Sequence, residues 1–139
     1  MFASLDDEQL GKIANHARVE CAIANVLIVA AGEPADNLRC VVDGRVQISI
    51  TAPGHDAHPT ATVSAGEVLG WSSLLPQSRW LANATALKNT TIIVVESDAL
   101  HELCDSDPEI GYQVMRGAFE TVSMRLHDTW LQLIDSYSQ

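Results

Sequence analysis

The chain is poor in positive charge. Eight Lys and Arg stand against 18 Asp and Glu, a formal net charge of -10. Such a balance repels phosphate backbones, leaves no electrostatic footprint for DNA or RNA, and disfavours an anionic membrane surface. Cysteine is scarce too: Cys21, Cys40 and Cys104 are scattered and lack Cys-x-x-Cys spacing. They read as free thiols in a reducing cytoplasm, small core hydrophobes rather than redox centres. No run of about 18 apolar residues occurs, and the start, Met1-Phe2-Ala3-Ser4-Leu5-Asp6-Asp7-Glu8, is acidic rather than signal-like. Gly-x-Ser-x-Gly, His-Glu-x-x-His, phosphate-loop and Cys-His arrangements are all missing, so nothing points to an enzyme. His55-Asp56-Ala57-His58 comes nearest to a metal motif. Both histidines fall in a polar tip flanked by Gly54 and Pro59, however, not on facing strands, and no metal site is expected.

What remains is ample for one folded unit. The chain has 139 residues, 47% apolar and 19% charged, which fits a single domain over residues 1–139. Residues 1–17 carry a helical pattern, with Ser4 as a cap, Asp6, Asp7 and Glu8 in the first turn, and Leu5, Leu10 and Ile13 near one face. Residues 18–96 change to short β-branched runs broken by turn residues, and Asp43-Gly44 marks a two-residue hairpin. Strands at roughly ten-residue spacing with Gly-centred turns predict a sandwich or barrel. Residues 97–135 are helical again: a short helix from Ser97, then a long one opened by Ser106-Asp107-Pro108-Glu109.

Two features carry chemistry. In Gly66-Glu67-Val68-Leu69-Gly70-Trp71-Ser72-Ser73, the second glycine lets the backbone turn and the amides around Ser72 and Ser73 open a short helical turn. With Arg79 as a fixed positive charge downstream, residues 66–80 could cradle a small anion. The competing reading is ordinary turn chemistry, with Arg79 in a surface ion pair. The second feature is a heptad seam on the long helix, Met115, Phe119, Val122, Leu126 and Leu133, with Thr129 filling the missing position. A helix this long spans on the order of 40 Å and overhangs a small domain, so the seam is expected to form a homodimer.

The order of these parts resembles the cyclic nucleotide-binding domain of the catabolite activator (Crp/Fnr) superfamily. The markers are Phe2-Ala3-Ser4-Leu5, Val29-Ala30-Ala31-Gly32-Glu33-Pro34-Ala35, Val41-Val42-Asp43-Gly44-Arg45-Val46 and Gly66-Glu67-Val68-Leu69-Gly70. The resemblance implies a mainly β fold with flanking α-helices: a jelly-roll β-barrel between a short N-terminal and a long C-terminal helix. It also implies a cassette that holds a cyclic phosphate and a last helix that carries the signal, often through a dimer. Ligand contacts would then fall on Gly70, Trp71, Ser72, Ser73, Arg79 and Trp80.

The departures are specific. The family usually places a ribose-binding glutamate after the second cassette glycine, where this chain has Trp71. An indole offers one N–H donor and no acceptor oxygen, so it cannot replace that carboxylate, and ordinary cAMP or cGMP binding is not expected. Arg79 matches the cassette arginine, but Trp80 replaces a small residue and the count to the next strand is off by about one. Superfamily transcription factors continue into a helix-turn-helix, whereas this chain ends at Gln139 without a basic recognition helix, which points to a stand-alone sensor. The expectation is therefore a non-catalytic sensor module binding a nucleotide-like or other small anionic ligand. The alternative is a ligand-free structural or dimerisation module whose pocket is plugged by Trp71 and Trp80.

Overall fold

The computed structural model describes residues 5–137. Its elements in chain order are α1 (Asp7–Ala14), β1 (Ala17–Ala22), β2 (Leu27–Val29), β3 (Asn37–Asp43), β4 (Arg45–Ile50), β5 (His58–Ser64) and β6 (Val68–Leu69). A 3₁₀ turn (Trp71–Leu74) follows, then β7 (Asn83–Ala86), β8 (Thr90–Glu96), α2 (Ser97–Ser106) and α3 (Pro108–Tyr137). The expected order of short helix, strands and long helix is present. The proposed cap Ser4 lies outside the described residues. Asp6 caps α1 instead, in a capping box with Gln9.

The strands form two antiparallel four-stranded sheets, ordered β1-β8-β3-β6 and β2-β7-β4-β5. The expected mainly β jelly-roll fold with flanking helices is present, and among the described residues its two sheets are not closed into a barrel. β2 has three residues and β6 two, too short to carry a ladder from one sheet to the other. Asp43-Gly44 makes the tight β3–β4 connection. Gly44 has φ +115°, and a Cβ there would stand 2.4 Å from the Thr90 hydroxyl, so only glycine fits.

Two cores result. Between the sheets lie Val29, Val41, Val46, Val63, Leu69 and Trp80. On the other face of the first sheet, Leu38, Val68 and Val95 pack against Leu100 of α2 and Ile110 and Val114 of α3, with Ile13 of α1 alongside. A buried charge also stands on β3, unforeseen in the sequence. The Arg39 guanidinium donates to Asn37 Oδ1 (2.9 Å) and pairs with Glu20 (2.7 Å) on β1, two strands away. That guanidinium holds the Glu20 carboxyl below its usual range.

α3 packs firmly on the body only through its first turns. Asp107 accepts at its N-terminus from the Ile110 amide (3.4 Å), and Ile110 and Val114 are its buried residues. Gly111 lets it cross α2 closely, since a Cβ there would lie 3.0 Å from the Cys104 carbonyl oxygen. At 1.5 Å per residue, 30 residues extend about 45 Å.

Candidate functional site

Gly70 sits in the left-handed region, φ +91°, and caps the 3₁₀ turn. A Cβ there would come within 2.8 Å of both the Asn37 carbonyl oxygen and the Trp80 ring. The cassette glycine therefore admits an indole, and Trp80, 8% exposed, lies among the residues between the sheets. The turn uses its own polar groups: the Ser73 amide donates to the Gly70 carbonyl (2.9 Å) and the Leu75 amide to that of Ser72 (3.0 Å). Ser73 is buried with an unpartnered hydroxyl, and Ser72 is half-buried. These amides and hydroxyls are folded into the turn rather than fanned out around an open hollow.

Arg79 stands on the outside. Residues 78–80 are zipped onto residues 32–35: Ala35 N–H donates to Ser78 O, Trp80 N–H to Glu33 O, and Gly32 N–H to Trp80 O, all within 2.9 Å. Neighbours on an extended segment point to opposite sides. With Trp80 inward, Arg79 is exposed, and its guanidinium donates to the Gly32 carbonyl (2.7 Å).

A sizeable opening near the cassette lies elsewhere. A groove of about 780 Å³ runs between β4–β5, the head of the cassette and the inner face of α3. Ile48 and Thr60–Thr62 form one wall, Gly66, Glu67, Val68 and Trp71 the floor, and residues of α3 from Gly117 to Gln132 the other wall. Of the six cassette residues singled out in the sequence, Trp71 alone lines it; Gly70, Ser72, Ser73, Arg79 and Trp80 do not. The Trp71 indole nitrogen is buried without an acceptor.

Three carboxylates line the groove, from Glu67, Glu120 and Asp128, against one guanidinium, that of Arg125. Glu67 Oε1 accepts from the Ser64 amide (2.9 Å), which fixes the turn and leaves the second oxygen free. Glu120 pairs with Arg116 (3.1 Å), which does not itself line the groove. Gln132 reaches the Thr60 carbonyl (3.5 Å), tying α3 to β5. Sequence reasoning missed the α3 wall. Its signal was available: Thr121, Arg125, Asp128 and Gln132 recur at spacings of four, three and four on the side of the helix opposite the seam.

The seam residues Met115, Phe119, Val122, Leu126 and Leu133 are all exposed, Phe119 at 74% and Leu126 at 49%. Trp130, 55% exposed, borders the stripe about 50° from its centre, as Thr129 does on the other side. Tyr112 and Tyr137 extend the stripe at both ends. Cys40 and Cys104 are half-buried, and burial pushes their thiols up. Cys21 corrects the buried expectation: it faces solvent on the edge strand β1. His55 lies on the exposed loop before β5, and His58 opens that strand. Among the described residues no helix is long and apolar enough to cross a membrane.

A family model, Cyclic nucleotide-binding domain, matches residues 23–107. The chain is 26% identical over 89 residues to the CRP-like cAMP-activated global transcriptional regulator of Mycobacterium tuberculosis, covering 64% of this chain and 40% of that protein. It is 24% identical over 116 residues to an uncharacterized NTE family protein of the same organism, covering 84% of this chain and 19% of that protein. The chain thus spans under half the length of either relative. Among solved structures, the N-terminal domain of a transcriptional regulator from Streptomyces coelicolor A3(2) superposes with a TM-score of 0.74 at 26% identity, covering 92% of this chain and 89% of the other.

Proposed function

The chain belongs to the cyclic nucleotide-binding domain family, a family of non-enzymatic regulatory domains, and from that premise we propose a ligand-gated module acting as a homodimer. A small ligand enters the groove between cassette and α3, and α3 reports its occupancy. One observation carries this reading: α3 has two working faces on opposite sides. Thr121, Arg125 and Asp128 line the groove, while Phe119, Val122 and Leu126 form the exposed apolar stripe. A ligand that draws the inner face toward Trp71 moves the outer face with it, giving the two-state element a switch requires.

Within this reading Trp71 contacts ligand, and Gly66 and Glu67 shape the floor. The position of Arg79, bound to the Gly32 carbonyl outside the groove, supports a ligand other than cAMP or cGMP. The free thiols support action in a reducing cytoplasm.

The second reading keeps the fold and drops the ligand. Trp80 fills the space beneath Gly70, which favours a plugged module whose role is dimerisation. A thermal-shift screen separates the two. With cAMP, cGMP, cyclic dinucleotides and uncharged and cationic fragments, some compound should raise the Tm of the unmodified protein and not of Trp71→Ala. No shift with any of them leaves the plugged module. In either case Leu126→Glu should give a monomeric mass by light scattering, and an unchanged dimer mass would refute the seam.

A further inference from the structure

The groove's own chemistry narrows its ligand. The lining carries three carboxylates and one guanidinium, and the chain as a whole carries a net charge of -10. Pairing of Glu120 with Arg116 reduces this imbalance without reversing it. Arg79, the cassette's own cation, is held outside by the Gly32 carbonyl. An anion entering here would lose its hydration against a negative field. A cation would gain from it.

The rest of the lining fits a body attached to that charge. Trp71 offers an aromatic wall, the best side chain for facing a cation. Ile48, Val68, Met124 and Leu131 supply apolar surface, and the volume lies within the range of small-molecule sites. Glu67 keeps one oxygen free, and Asp128, one turn from Arg125, has no ion-pair or hydrogen-bond partner among the described residues.

We propose that the groove binds a small organic cation with a flat or apolar body, held by Trp71, Glu67 and Asp128, and excludes anions, the cyclic phosphate included. This rests on the groove being the ligand site. The test uses one ring system at three charges: 2-naphthamidine, 2-naphthamide and 2-naphthoate, with cAMP as a fourth probe. Binding is read from the indole signals of protein labelled with ¹⁵N-tryptophan, the Trp71 signal being assigned with Trp71→Phe. The amidine should move the Trp71 signal at concentrations about tenfold below those needed with the carboxylate, and cAMP should leave it in place. Glu67→Gln with Asp128→Asn, which keeps the Ser64 contact available, should shrink that preference to about threefold or less.

If the carboxylate or cAMP moves Trp71 as readily as the amidine, the cation proposal fails and the groove remains a ligand site. Should no probe move Trp71, or only Trp80 and Trp130 respond, the groove reading fails and this proposal with it.

Discussion

Replacing Trp80 by alanine tests whether the indole is a structural plug. The side chain lies between the two sheets with Val29, Val41, Val46, Val63, Leu69 and Ala84, at 8% exposure. Its ring abuts Gly70, where no side chain can fold in to fill the space. Removal of a buried tryptophan costs about 3–5 kcal/mol, and the upper part of that range applies where the surroundings cannot collapse. For a domain of this size that is a fall in Tm of roughly 10–20 °C. Arg79→Ala is the matched control one residue away. It loses an exposed contact to the Gly32 carbonyl and should cost under about 1 kcal/mol. Urea denaturation followed by far-UV circular dichroism avoids reading fluorescence from a protein that has lost an indole. If Trp80→Ala proves no less stable than Arg79→Ala, the inward-outward assignment of residues 79 and 80 is wrong. The guanidinium would then have to be reconsidered as a pocket group.

Two further predictions concern titratable groups. Arg39 depresses the Glu20 carboxyl from its ordinary value of 4.5, so this pair adds stability that is complete above that value. It is lost as pH falls through the lower folded value. Glu20→Gln should flatten stability against pH in that acid window, with an effect reduced by the partial exposure of Glu20; an unchanged slope on urea titration would show the pair to be energetically silent. Ellman's reagent should label Cys21 rapidly at neutral pH, and Cys40 and Cys104 slowly, because burial raises both their thiols. Fast labelling of all three in the folded protein would contradict the packing around β3 and α2.

The parts legible in the sequence were those set by local chemistry. Asp43-Gly44 gave its turn because no other residue fits against Thr90, and Gly70 opened a short helical turn because its φ is positive. The exposed apolar stripe on α3 followed from periodicity alone. Features that depend on register were not legible. Whether residue 79 or 80 faces inward is decided by its pairing with residues 32–35, more than 40 positions away in the chain. A shift of one residue exchanges an arginine for a tryptophan at the core. The groove was missed for a similar reason: its walls come from β5 and α3, and only folding brings them together. Arg39 and Glu20 are likewise separated by 19 residues and a strand.

The seam must in turn account for why α3 is a helix over its whole length. Past Val114 it has no buried residue, yet it continues to Tyr137. Helices in proteins draw most of their stability from packing an apolar face. The groove side supplies little of that, being open and tied to β5 through Gln132. Apolar groups lie on both sides, Met124 and Leu131 toward the groove and Phe119, Leu126 and Trp130 away from it. Such a helix is held firmly only when both sides are covered. In the proposed homodimer the outer stripe would meet a second copy of itself, and the inner face would then be the one whose cover comes and goes. On this argument the dimer is the permanent partner and the ligand the transient one, so the monomeric Leu126→Glu variant should show α3 amides beyond Val114 exchanging fast. Protection of those amides in a proven monomer would mean that the domain alone secures the helix, and the division of labour between its two faces would fall.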